Sequence, residues 1–547
     1  MQRCRIPSKL TQKIVLTIES IISLGFVLDT ALYIKMGLHL DDPVVSNAFR
    51  VKFSNLGFKV DAWSISSIGL IFIALLGIHY WLRNKSLFSS KPLPKSSMDL
   101  REALAIAILS AMGCCILFIP SINSTVKRMT PLEAIPFQSA AYSITEGFPH
   151  PRANHLKSET LSYQWKMGRK PDIVFIFSDG LRYDVLESDA AATLRALSHD
   201  KSCVSPERHY AGSHMTHVGV FAALFGMDPY YYSSFVESHV RPLPLRILKD
   251  NGYERAIFDS SGIASYVPPI VEKSDFDLYR DYSDSDDRAT SDEQAVTDFL
   301  RELNRKDRDK PLFSFLFLYS THDPYYSKES QNRLLSHDST SGPSAKFRYL
   351  QSVKHVDQLV HKLTDSLESR IQEGKLILAI SGDHGEGFGE AGVGGHATLH
   401  PSDTLIRVPM ILCGVPGARK NTKLATHADL WPSIFELLAD KDKSASTPKS
   451  PTWLSGHPVF ANEERNLAIV SAGWFPTASR EILVISGQRK YKLELSAPNV
   501  KELRLVSVFD SEGNPLPLNE NEAKTYRQIE PHFQTEFGKY FDSEDRR

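Results

Sequence analysis

The sequence predicts an α/β fold: a mainly parallel sheet with helices on both faces, preceded by about three transmembrane helices and followed by a small β-rich subdomain. Three observations carry this expectation. Between Pro171 and Asp440, strand-length apolar runs that close on polar side chains alternate with stretches of helical periodicity, as in parallel βαβ units. Three longer apolar stretches precede Asn123, each close to the roughly 20 residues that cross a bilayer. Beyond a Lys/Ser/Pro-rich segment that follows Asp440, the chain reads as paired strands. The implied divisions are a membrane domain at 1–122, a linker at 123–168, the α/β domain at 169–440 and the β-rich subdomain at 441–547.

Composition excludes several classes. The chain has 547 residues, 42% hydrophobic and 23% charged, with a net charge of -1. This is globular rather than disordered, and it lacks the basic excess of a nucleic-acid binder. The five cysteines form no CxxC or Cys/His zinc spacing. Cys203 and Cys413 pair only if the fold brings them together, which the sequence does not indicate.

In chain order, the apolar stretches are Ile14–Met36, Trp63–Leu82 and Ala103–Ile122. Glu19 and Asp29 make the first the weakest, because charge in lipid is costly; it also reads as an amphipathic helix lying on the membrane. Arg3, Arg5, Lys9 and Lys13 precede the first stretch, and Arg83, Lys85, Lys91, Lys95 and Arg101 follow the second. The positive-inside rule places both groups in the cytoplasm and everything after Ile122 outside it. The expected location is therefore an inner (plasma) membrane, multi-pass, with a periplasmic or extracytoplasmic domain.

The α/β domain opens with PDIVFIFSDG, a buried strand closing on Asp179. YERAIFDSSG closes on Asp259, which we read as structural, and PLFSFLFLYSTHDPYY closes on His322. Lys346–Lys375 has helical periodicity and leads into LILAISGDHGEGFG, whose strand closes on Asp383 and His384. RVPMILCG is a further strand and THADLWPSIFELLAD a helix. In the tail, REILVISGQRKYKLEL is a hairpin pattern and KELRLVSVFDSEGNPL another strand.

Open α/β sheets deliver functional groups at the carboxyl ends of their strands, and a buried carboxylate needs a partner. Asp179, Asp383 and His384 would give one divalent cation (Mg, Mn or Zn) three protein ligands and leave room for a nucleophile and a substrate oxygen. The nucleophile candidate lies in HYAGSHMTHVGVFAALFG. Thr216 stands at or near a helix amino terminus, where backbone N–H groups favour a developing alkoxide and a phosphoryl group. Alone, Thr216 also fits a plain N-cap, and Ser213 is a rival from the same turn. Tyr230, Tyr231 and Tyr232 beside Phe235 fit either a lipid-facing mouth or an aromatic core cluster.

The order Asp179, GSHMTHVGVF, His322-Asp-Pro-Tyr, SGDHGEGFGE, RVPMI, THADLWP resembles the alkaline phosphatase superfamily over roughly Pro171–Asp440. Its sulfatase-like branch is most similar, with arylsulfatases, lipoteichoic acid synthases and phosphoethanolamine transferases. The amino-terminal DTALYIKMGLHLDDPVV, the spans and the tail VFDSEGNPL resemble YejM/PbgA-type inner-membrane proteins, which typically have five spans. The resemblance implies metal ligands at Asp179, Asp383 and His384, with Thr216 as nucleophile and further ligand. The family nucleophile often stands one residue earlier, where this chain has Met215. By the same resemblance His322 contacts the substrate phosphate or leaving group, as does His396 in GGHATLH, a segment that also reads as a glycine-rich loop with incidental histidines. Arg182 pairs with a substrate anion or sits on a helix surface.

Three functions follow as expectations. The first is a metal-dependent phosphoester hydrolase or phospho-group transferase acting outside the cytoplasm on a membrane lipid or lipopolysaccharide. The second is a catalytically degenerate lipid-binding regulator of cardiolipin or lipopolysaccharide homeostasis, with contacts to a membrane-protein partner. The third, a sulfuric ester hydrolase, is disfavoured: arylsulfatases carry Asp-Asn at Asp383-His384, and CVSPER from Cys203 misplaces the proline of the formylglycine motif.

Overall fold

The structure, a computed structural model, describes residues 167–540 apart from 233–234, 236–238, 266–269, 286, 306–307, 326–342, 391–393, 397–399, 416–422, 440–453, 461–466, 472–480 and 496–502. The chain divides into two compact units, 1–143 and 144–547, and all described residues belong to the second. The three expected membrane spans lie outside the described residues. Among those described, no helix is long and apolar enough to cross a membrane.

The strands are β1 (Asp172–Ser178), β2 (Cys203–Val204), β3 (Arg208–Tyr210), β4 (Glu254–Asp259), β5 (Leu278–Asp281), β6 (Leu312–Leu318), β7 (Leu376–Gly382), β8 (Gly387–Phe388), β9 (Gly394–Gly395), β10 (Met410–Cys413), β11 (Leu424–Thr426), β12 (Leu467–Ser471), β13 (Glu481–Ser486), β14 (Arg489–Leu495), β15 (Leu503–Phe509) and β16 (Pro515–Leu516). The main sheet has the order β2-β10-β7-β1-β6-β4-β5. The five strands from β7 to β5 are parallel, and β10 runs antiparallel to β7. The expected mainly parallel α/β sheet is therefore present, with one reversed strand.

Both faces of the central strands are buried, which explains why their sequences read as continuous apolar runs rather than alternating ones. Ile173, Phe175 and Phe177 of β1 pack into a cluster with Phe313, Phe315 and Trp431. Val174 and Ile176 face the other way, into a cluster with Tyr349, Val353, Val356 and Val360 of the Pro343–Gln372 helix. Register then fixes the functional edge. Ser178 aligns with Gly382 of β7 and Leu318 of β6. The residues that follow each strand, Asp179, Asp383 and the Tyr319–His322 turn, leave the sheet at one level. Asp259 ends the neighbouring β4. Its carboxylate accepts from Ser261, Gly262 and Ile263 N–H (2.9, 3.1 and 2.8 Å) and from Tyr279 Oη (2.7 Å), the behaviour of a turn cap.

Cys203 and Cys413 face each other across β2 and β10 and form a disulfide. With 210 residues between the two cysteines, no local pattern signals this pairing. Only the edge-strand register joins them. Closing so long a loop restricts the unfolded chain, so Cys203→Ser with Cys413→Ser is expected to lower unfolding free energy by up to about 5 kcal/mol. Urea unfolding of the oxidised protein against the double variant measures it, and equal midpoints would rule the effect out.

The tail forms a five-stranded antiparallel sheet, β12-β13-β14-β15-β16. Ile469, Val484, Leu493 and Val508 join the main apolar cluster, and Val470, Leu483 and Ile485 pack against Tyr210, Leu405 and Ile406. Buried Lys490 reaches Asp403 Oδ1 (2.6 Å), Pro401 O (2.6 Å) and Ser511 O (2.8 Å). A helix at Glu520–Tyr540 follows, which the β-rich reading missed. Its signal is Asn519, whose Oδ1 accepts the N–H groups of Asn521 and Glu522, in the manner of an N-cap.

Candidate active site

Asp179, Asp383 and His384 are each fully buried, and one ligand atom from each lies within 4.8 Å of the others. His384 Nε2 is 3.7 Å from Asp179 Oδ1 and 3.4 Å from Asp383 Oδ2. Backbone contacts fix the orientation. Asp383 Oδ1 accepts from Gly180 N (2.9 Å) and His384 N (2.8 Å), which directs Oδ2 inward. His384 Nδ1 donates to Gly385 O (2.7 Å), leaving the Nε2 lone pair for the centre.

Thr216 is the first residue of the Thr216–Phe225 helix, and Met215 occupies the N-cap position without a side-chain cap. The plain N-cap alternative for Thr216 is thereby removed. Its Oγ1 lies 3.1 Å from His384 Nε2 and 3.4 Å from Asp179 Oδ2. Close packing brings the helix here: a Cβ on Gly219 would stand 2.2 Å from Asp383 O. Ser213 instead directs its Oγ to Ser471 O (3.2 Å) on β12.

The donor set fits a cation. Asp179 Oδ1 and Asp383 Oδ2 are buried with no hydrogen-bond partner. Burial, then the like charge of Asp383, raises Asp179 well above the usual carboxylate range. Burial pushes Asp383 up to about 7, against the Gly180 N–H bond. Burial holds His384 well below an ordinary imidazole, in the neutral form that ligates. Two orphaned carboxylate oxygens and a neutral imidazole close together are a donor set that suits a hard or borderline divalent ion.

A family comparison agrees with this geometry: the sulfatase family profile matches residues 171–440. Residues 171–440 form a sulfatase-family domain. The chain is 21% identical over 341 residues to the inner membrane protein YejM of Salmonella typhimurium, covering 60% of this chain and 51% of that protein. It thus spans about half the length of the curated relatives it matches. Among solved structures, the yidJ protein of Bacteroides fragilis has the same fold, with a TM-score of 0.53 at 15% identity over 70% of this chain and 100% of that one. The lipoteichoic acid synthase LtaP of Listeria monocytogenes gives 0.45 at 12% identity over 70% and 97%.

Around the centre of the sulfatase domain stand two further histidines. The His396 ring lies 4.2 Å from that of His384 and 5.3 Å from that of His322. Burial alone would lower His396, but the buried Glu386 carboxylate, 3.2 Å from Nδ1, raises it overall. His322 is pushed down to about 4 by burial and by His396. Its Nδ1 donates to Asp323 O (2.8 Å), and the ring stacks on Tyr319. The sequence expects catalysis from His322 and substrate binding from His396; of the two, His396 is the one whose proton affinity is raised.

Arg182 differs from both sequence readings. It is 2% exposed, and its guanidinium bonds Asp184, Glu386 O and Glu390. Those partners make it an internal brace for the glycine turn rather than an open anion clamp or a surface side chain. Tyr230, Tyr231 and Tyr232 are buried with Phe221 and Phe235, the core alternative.

Two residues escaped the sequence reading. Glu386 was legible as a third acidic group in the Asp383–Glu390 turn. Asp292 was not, because it lies inside the Arg288–Leu303 helix. Its carboxylate accepts from Tyr319 N (2.9 Å) and Ser320 N (2.9 Å), setting the path of the chain towards His322.

Proposed function

We propose that this chain is a metal-dependent phosphoester hydrolase or phospho-group transferase that uses Thr216 as nucleophile. It would be anchored as a multi-pass inner-membrane protein and act outside the cytoplasm on a lipid or lipopolysaccharide-type substrate. The observation that carries the reading is Thr216 Oγ1 beside His384 Nε2 and Asp179, facing two unpartnered carboxylate oxygens.

A divalent cation held by Asp179, Asp383 and His384 would favour ionisation of a nearby hydroxyl and offset negative charge on a transferring phosphoryl group. Thr216 Oγ1, its proton released to solvent, would form the new O–P bond as the bond from phosphorus to the leaving oxygen breaks. N–H groups of the first helical turn add stabilisation to the phosphoryl oxygens. His396, held by Glu386, passes a proton to the leaving alkoxide and afterwards takes one from the water or lipid hydroxyl that attacks phospho-Thr216.

The extracytoplasmic placement is supported by the disulfide, which persists in oxidising compartments, and by the apolar stretches before Asn123. The relative's designation as an inner membrane protein points the same way. A sulfuric ester hydrolase is further disfavoured because Cys203 is bonded to Cys413 and is not free for conversion to formylglycine.

The test is phosphodiester cleavage by the purified full chain on bis(p-nitrophenyl) phosphate, after chelation and after return of Mg, Mn or Zn. Restoration by at least one ion is expected; activity indifferent to chelation rejects the metal-dependent reading. A pH profile refines it. His396 is raised by Glu386, so its proton is available at low pH and lost as pH climbs through its pKa. Glu386→Gln withdraws the carboxylate and is expected to shift the alkaline limb of kcat/KM to lower pH. An unmoved limb would assign the proton elsewhere.

A further inference from the structure

The THADLWP segment has no part in the chemistry above, yet it sends a buried imidazole behind the centre. Thr426 ends β11, which pairs in parallel with β3 just before the nucleophile turn. Thr426 and Asp429 form a reciprocal capping box, with Asp429 Oδ2 accepting from Thr426 N at 2.8 Å, and this fixes the short His427–Asp429 turn. The His427 ring is packed between Phe177 of β1 and His209 of β3.

Three backbone segments meet at that ring. Nε2 lies 2.9 Å from Gly382 O, the last residue of β7 before Asp383. Nδ1 lies 3.3 Å from Gly212 N, in the turn that precedes Thr216. The same Nδ1 lies 3.0 Å from Gly219 O, in the helix that begins at Thr216. Burial pushes His427 down to about 4, despite the two carbonyls. A neutral ring satisfies one arrangement: Gly212 N–H donates to Nδ1, and Nε2–H donates to Gly382 O. Gly219 is also the point of closest approach to Asp383 O, and Gly212 has a Val218 carbonyl where its Cβ would be. The Gly219 contact requires the helix to sit directly on the end of β7, the Gly212 contact requires the preceding turn to fold back on that helix, and nothing in glycine itself holds either there.

We propose that His427 is a positioning residue that sets the register between the nucleophile segment and the metal-binding strand end. Through it, Thr216 is held at bonding distance from the Asp179, Asp383 and His384 cluster. His427 does not touch substrate and ligates nothing; it acts through its bonds to Gly212 and Gly382, with Gly219 packed against the ring. The proposal rests on the reading of that cluster as a metal centre, and its test separates the two.

The test uses the full chain with His427→Ala, His427→Gln and, as a control, His355→Ala. His355 is another buried histidine, bonded to Ala289 O at 3.3 Å away from the centre. Hydrogen–deuterium exchange is followed in chelator over residues 212–225 and 382–388, and Zn2+ and Mn2+ affinities are measured by chelator competition. His427→Ala is expected to speed exchange in both segments and weaken ion binding on the order of tenfold or more, the range seen when residues that orient ligands are removed. His427→Gln, which can still donate to Gly382 O, is expected to recover most of both. His355→Ala is expected to lower the melting temperature without moving either readout. Wild-type exchange in both segments of His427→Ala overturns the proposal, as does an equal response from His355→Ala. A wild-type protein that binds neither ion but loosens on His427→Ala keeps the positioning role and removes the metal-centre reading.

Discussion

Thr216→Ala is expected to abolish phosphodiester turnover while leaving the fold and the bound ion in place. Losing a covalent nucleophile typically costs on the order of 10^3-fold or more in kcat. The hydroxyl reaches the cluster, 3.1 Å from His384 Nε2 and 3.4 Å from Asp179 Oδ2. It is not the helix cap, since Met215 holds that position, so truncation removes no backbone bond of the helix. Ion stoichiometry and melting temperature should therefore match wild type. Trapping of radiolabelled phosphate on the protein should be present in wild type and absent in the variant. Turnover within a few-fold of wild type would place the nucleophile elsewhere and reopen Ser213, or favour the binding-protein alternative if wild type is also inactive.

The second large effect is expected at Asp383. Asp383→Asn keeps an oxygen for the Gly180 and His384 N–H groups but removes the charge opposite Asp179. Ion affinity should fall on the order of 10^2-fold or more, beyond the usual cost of losing an outer partner, and activity should fall with it. The stability effect has the opposite sign in chelator. Burial and the like charge of Asp383 both raise Asp179, so the ion-free wild type carries an electrostatic strain that the variant lacks. The metal-free variant should melt higher than metal-free wild type, and added Zn2+ should raise the melting temperature of wild type alone, as binding to the native state requires. A variant that retains stoichiometric ion would remove Asp383 from the ligand set.

Much of this arrangement is legible in the chain itself. PDIVFIFSDG and LILAISGDHG are apolar throughout because both faces of β1 and β7 are buried, and the glycine after each run marks where the sheet ends. That local pattern is enough to place Asp179, Asp383 and His384 at strand ends. Helical periodicity after Thr216 is enough to place it at a helix amino terminus. Arg182 shows the limit of such reading: a charged residue after a strand end is consistent with an anion clamp, and only its bonds to Asp184, Glu386 O and Glu390 reveal a brace. His322 and His396 are both present in the sequence, but only the structure shows that His396 is the one beside Glu386.

Between Pro171 and Asp440 the sequence by itself determined the main strands, the polar strand ends and the chemical identity of the groups presented there. Each of these depends on residues close together in the chain, through burial periodicity and turn chemistry. The tertiary structure alone decided which of those groups meet. The Cys203–Cys413 bond, the reversed β10, the Asp292 support under the His322 turn and the His427 contacts join residues tens to hundreds of positions apart. Their geometry depends on sheet order and register, which no local pattern of side chains encodes.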